Sequence, residues 1–124
     1  MTEFSEKKNN NYNLEERTAL FSELLVRALK KIRKDSINNP MISQLIRSGT
    51  SIGANYCEAN NASSKRDFRN KIYICKKETS ETKYWLRILS NANLEFKEDG
   101  RKIWKEAHEL NMIFQKIVNT LNKI

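Results

Sequence analysis

The runs Arg47-Ser-Gly-Thr-Ser-Ile-Gly-Ala-Asn-Tyr-Cys-Glu58 and Lys76-Lys-Glu-Thr-Ser-Glu-Thr-Lys-Tyr-Trp-Leu86 decide the fold of this chain. Around the first, Ile42, Leu45, Gly49, Ile52 and Tyr56 are spaced 3, 4, 3, 4, which places them on one seam of a helix. Around the second, Phe68, Ile72, Cys75, Thr79, Thr82, Leu86 and Leu89 are spaced 4, 3, 4, 3, 4, 3. The polar run Asn60-Asn-Ala-Ser-Ser64 interrupts both periods, so the two seams belong to successive helices joined by a tight turn. Ser64 and Asp67 resemble a capping box, with Asp in place of Glu. Ser48, Gly49, Ser51, Gly53 and Ala54 are all small. A helix-interior glycine costs about 1 kcal/mol relative to Ala, a cost more readily borne where a neighbouring backbone comes close.

Upstream, Asn13 suits an N-cap, and Glu15 and Glu16 oppose the dipole of a helix expected over 13–36. Its stripe is Leu14, Phe21, Leu25, Ala28 and Ile32, widened by Leu20, Leu24 and Leu29. Lys30, Lys31, Arg33 and Lys34 fall in its expected last turns. Asn39 and Pro40 then read as N-cap and first residue of a helix over 40–60. The third helix is expected over 64–91 and the fourth over 98–123, the latter with Ile103, Ala107, Leu110, Phe114, Ile117, Leu121 and Ile124 as its seam. Trp104 and Val118 widen that face. Residues 1–12 are polar, Asn-rich and aperiodic, and read as a disordered tail. The expected fold is all-α: residues 13–124 as an antiparallel up-down-up-down four-helix bundle.

Composition agrees. A chain of 124 residues is one domain, and three Gly and one Pro supply few turns for β-hairpins. No apolar run approaches the roughly 18 residues of a membrane span, and the N-terminus has no signal-peptide pattern, so a cytoplasmic protein with reduced thiols and no membrane partner is expected. The net charge of +8 suits nucleic acid or an acidic partner, and equally a plain solvated surface.

Polar residues border the seams. Arg47, Ser51, Asn55 and Glu58 share a face of the second helix; Glu78, Glu81 and Trp85 lie beside the seam of the third, between Ile74 and Ile88. With the turn centred near Ala62 and Ser63, Arg47 is level with Thr79, within reach of Glu78 or Glu81, and an interhelical ion pair is expected. The same register separates Cys57 from Cys75 by about 9 Å along the axis, too far for a disulfide, so both read as small core or near-core residues. Two carboxylates three apart suit a metal or an acid–base pair, but the rest of such a site is missing. The one histidine, His108, is read as a partly exposed surface residue of the fourth helix, and there is no Glu-x-x-His pair, phosphate loop or nucleophile motif. No enzyme, metal or cofactor is expected. Both Trp85 and Trp104 read as core or subunit interface, with base stacking as the other use of such rings.

One end of the bundle gathers Lys30, Lys31, Arg33, Lys34, Lys83, Arg87, Lys97, Arg101, Lys102 and Lys105, partly offset by Asp35, Glu95, Glu98, Asp99 and Glu106. This cluster is the expected nucleic-acid surface, against the plainer reading of a solvated face; Lys65, Arg66 and Arg69 lie at the opposite end.

The two opening runs, with Ser64-Lys-Arg-Asp-Phe68, resemble the bacterial four-helix bundle proteins known as 23S ribosomal RNA intervening sequence proteins. The match rests on Ser51, Ile52, Asn55 and Glu58, and on the Lys77 to Leu86 element; Ala59 stands where the family's usual glycine would be. The resemblance implies a homopentamer, a link to ribosomal RNA genes, and kinship with a retroelement accessory protein that binds nucleic acid and a reverse transcriptase. It implies no enzymatic activity. Two functions therefore stay open: a non-enzymatic accessory factor binding RNA or DNA backbone, and a scaffold for a protein partner without nucleic acid.

Overall fold

The computed structural model describes residues 13–123; the expected tail and Ile124 lie outside them. Four helices form: α1 (Leu14–Leu29), α2 (Asn38–Asn60), α3 (Lys65–Ala92) and α4 (Lys97–Leu121), with a 3₁₀ turn over Leu94–Phe96 leading into α4. They pack α1 on α2, α2 on α3, α3 on α4, and α4 back on α1 through the sparsest seam. This is an all-α, up-down-up-down four-helix bundle. None of the described helices is long and apolar enough to cross a membrane.

The core follows the sequence periods closely. Every seam position expected on α2 is buried, and on α3 all but the half-buried Phe68. On α4 the buried line runs Gly100, Ile103, Ala107, Leu110, Phe114, Val118. It leaves the strict seven-residue repeat after Phe114, because a straight helix turns at 3.6 residues and drifts to Val118, leaving Ile117 and Leu121 half-buried.

Helix α1 differs from expectation in two respects. It stops at Leu29, not near residue 36. Beyond it, Lys31 and Ile32 donate to the carbonyls three back, at 3.2 Å each, and the Lys34 ammonium donates to the Leu29 and Ile32 carbonyls. The Asp35 carboxylate then accepts from the amides of Ile37 and Asn38, at 3.0 and 2.7 Å. Those two bonds lower the Asp35 pKa, that from Asn38 most. Thus Asp35, not Asn39, caps α2, and Pro40 sits at the third helical residue, still within the turn whose amides need no helical partner. The second difference is the stripe: Leu29 is buried, but Leu20 and Leu24 are 53% and 41% exposed.

The expected close approach at the glycines is present. A Cβ on Gly49 would lie 2.2 Å from Leu25 Cδ2, and one on Gly53 would lie 3.0 Å from Thr18 Oγ1. Both glycines face α1, so the lost side chains let α1 sit close on α2. At the far turn, the Ser64 hydroxyl accepts from the Asp67 amide at 3.0 Å, as the capping pattern predicts.

Candidate functional site

The α2–α3 border carries the expected ion pair in full. The Arg47 guanidinium donates to Glu78 at 3.4 Å and, through its other terminal nitrogen, makes a short bond to Glu81. The Trp85 indole N–H also donates to Glu81, at 3.2 Å. Glu78 is nearly buried, so Arg47 neutralises a carboxylate that would otherwise sit unpaired against the core. The bond from Arg47, with the smaller one from Trp85, holds the Glu81 pKa below the usual carboxylate value. The other members of the stripe do not join. Ser51 donates to the Arg47 carbonyl and Asn55 to the Ser51 carbonyl, both one turn back, while Glu58 pairs separately with Lys71 at 2.7 Å. Beneath this border, Thr82 donates to the Ser48 hydroxyl at 3.0 Å in the core. These bonds centre the α2–α3 hairpin within about one residue of the sequence register.

Of the two thiols, Cys75 is buried and donates to the Ile52 carbonyl, and burial pushes its pKa up to about 12. Cys57 is exposed on α2, which corrects its reading as a core or near-core residue. Among the described residues no group of His, Cys, Asp and Glu is arranged to hold a metal.

The basic cluster divides. Lys31 pairs with Asp99 at 3.5 Å and Arg33 with Asp35 at 3.6 Å; Lys34 is spent on the two carbonyls at the end of α1. Lys83 turns inward: its ammonium lies 2.8 Å from His108 Nδ1 and 4.8 Å from the centre of the Trp104 ring, on which His108 stacks. Lys30, Arg87, Lys97, Arg101, Lys102 and Lys105 are unpaired among the described residues. Three of these, Arg87, Lys97 and Arg101, line a cleft of about 290 Å³ between the end of α3 and the start of α4, with Trp104 as its aromatic wall. Trp104 is half-buried, packed against the core on one side and lining the cleft on the other.

Two further features had no signal in the sequence. Asn38 and Asn93 exchange side-chain amide bonds at 2.9 and 2.8 Å, and tie the α1–α2 connection to the α3–α4 connection. Arg17 forks onto Glu106 at 2.7 and 2.9 Å and reaches Glu109 at 2.8 Å, clamping α1 to α4. Its bonds to Glu106 raise the Arg17 pKa.

The comparisons agree with this architecture. A crystal structure of a protein of unknown function from the S23 ribosomal protein family of Bacteroides thetaiotaomicron is 33% identical. The match covers 84% of this chain and 96% of that one, with a TM-score of 0.75. A comparison with curated proteins returns no match. The family model described as 23S rRNA-intervening sequence protein matches residues 10–121, and with the bundle and its two signature elements in place the chain belongs to that family.

Proposed function

We propose that this protein is a non-enzymatic, oligomeric accessory factor that binds the backbone of RNA or DNA through the end of the bundle where α1 and α3 finish and α2 and α4 begin. The observation that carries this reading is the set of unpaired cations there: Lys30, Arg87, Lys97, Arg101, Lys102 and Lys105, projecting from three segments. Fixed helices spread them over this end, from Lys30 at the close of α1 to Lys105 on α4, which suits a charged strand. Nothing in the arrangement reads base edges in a duplex groove, so little sequence preference is expected.

A homopentamer and a nucleic-acid-processing partner, such as a reverse transcriptase, belong to the same proposal through the family resemblance. Leu20 and Leu24, neighbours on one flank of α1, are left exposed by the single chain, and this favours contact with further copies or with another protein. A protein scaffold without nucleic acid is the competing reading, and the same leucines support it.

The deciding experiment measures binding of labelled RNA and DNA of unrelated sequence to the wild-type protein and to a Lys30→Ala, Arg101→Ala, Lys102→Ala, Lys105→Ala variant. The proposal expects similar affinities across sequences and a large loss in the variant. A folded wild-type oligomer that binds none of them at low salt removes it.

A further inference from the structure

We propose that the cleft between the C-terminal turns of α3 and the first turns of α4 holds one unpaired nucleotide of a bound strand. Arg87, Lys97 and Arg101 take its phosphate and the open face of Trp104 takes its base. This deepens the nucleic-acid reading and rests on it.

Three cations and no carboxylate face the cleft, and the Ser90 hydroxyl adds a donor, so an anion is the complementary group. None of the three cations is held in an ion pair by a described residue. Beside these and Asn91, the wall is formed by Leu86, Gly100 and the planar Trp104 ring. His108, one turn on, covers one face of the Trp104 ring, with centroids 5.1 Å apart and planes within 11°. Gly100 and Arg101, one turn back, line the cleft, so the opposite face of the indole is the one turned to it. Lys83 pins the His108–Trp104 stack from α3, and the ring is set before a ligand arrives.

Gly100 shapes the other side. A Cβ there would crowd Ser90 Oγ and lie 3.1 Å from the Phe96 ring, so glycine leaves the Ser90 hydroxyl its place at the cleft. At about 290 Å³ the cleft suits one planar group with its phosphate. A paired base inside a duplex cannot offer its face to the indole, whereas an unstacked one can. Lys105, one turn beyond Arg101 and unpaired, continues the cationic track for the neighbouring phosphate.

The test uses fluorescence anisotropy of three labelled ligands of equal length with the full chain: a single strand, the same strand carrying abasic sites, and a blunt duplex. Trp104→Leu is expected to weaken the intact strand roughly tenfold while leaving the abasic strand and duplex within about twofold, and Trp104→Phe is expected to recover most of the loss. Arg101→Glu is expected to weaken all three. In parallel, a 5-bromouracil strand is photo-cross-linked to the wild-type protein, which does not depend on how well any variant folds, and the adduct is expected at Trp104. Binding of all three ligands with no effect of Trp104→Leu on the intact strand, or with the adduct elsewhere, overturns the cleft assignment and leaves backbone binding standing. A nucleoside monophosphate that competes as strongly as the strand assigns the cleft to free nucleotides and overturns the strand reading. Failure of all three to bind overturns both.

Discussion

Arg47 is the residue on which the α2–α3 border depends. Removing it leaves Glu78, whose side chain is only 10% exposed, as an unneutralised carboxylate. Arg47→Ala should therefore destabilise the protein by about 1–2 kcal/mol in denaturant unfolding, more than a lone surface pair would. The Glu81 pKa is lowered in the folded state, chiefly by Arg47. Its contribution is thus fully present above the unfolded-state value of 4.5 and is lost as pH falls through the lower folded value. The melting-temperature gap between wild type and Glu81→Gln should be widest near neutral pH and should narrow below pH 4.5. The thiols give a second check: with Cys75 buried and its pKa near 12, a thiol reagent at pH 8 should label Cys57 alone, and both only after unfolding. At this scale the sequence was most legible where partners lie on adjacent helices joined by a short turn, as for Arg47 with Glu78 and Glu81. It was silent for Asn38 and Asn93, which are 55 residues apart and have no periodic pattern to link them.

The helices were legible in number, order and facing, because each buries a seam long enough to set its period. Their ends were less so. The apolar stripe of α1 runs on to Ile32, which is indeed buried, yet the helix stops at Leu29. Lys34 and Asp35 satisfy the free backbone groups on either side of the break, and hydrophobic spacing cannot show such local side-chain chemistry. The glycines of α2 are a packing requirement with a testable order. Gly49→Ala gains about 1 kcal/mol of helix propensity but drives a methyl into the fully buried Leu25, and overpacking of that kind costs about 1–3 kcal/mol. Gly53→Ala meets Thr18 less severely. Thermal melts should show Gly49→Ala less stable than wild type, and Gly53→Ala closer to it. Asn38→Leu should cost about 1–3 kcal/mol, because it leaves the buried Asn93 side-chain oxygen without its donor and its amide nitrogen with the Leu89 carbonyl alone.

For the molecule as a whole, the candidate surface was legible as a cluster and not as a division of labour. Sequence position brought Lys31, Arg33, Lys34 and Lys83 to the same end as the others, but charge runs do not reveal which cations are already engaged by Asp99, Asp35, backbone carbonyls or His108. Nor did the helical spacing of Trp104 distinguish a core ring from a cleft wall. In the proposed ring, five copies of a +8 chain would carry about +40, a field that draws polyanions from a distance and is screened by salt. The most direct test of backbone binding is the slope of log affinity against log salt for a labelled RNA, measured for the wild type and for the Lys30, Arg101, Lys102 and Lys105 quadruple-alanine variant. The account predicts a steep negative slope in the wild type, shallower in the variant by about one unit for each phosphate contact removed. Equal slopes in the two proteins, or an affinity indifferent to salt, would contradict it.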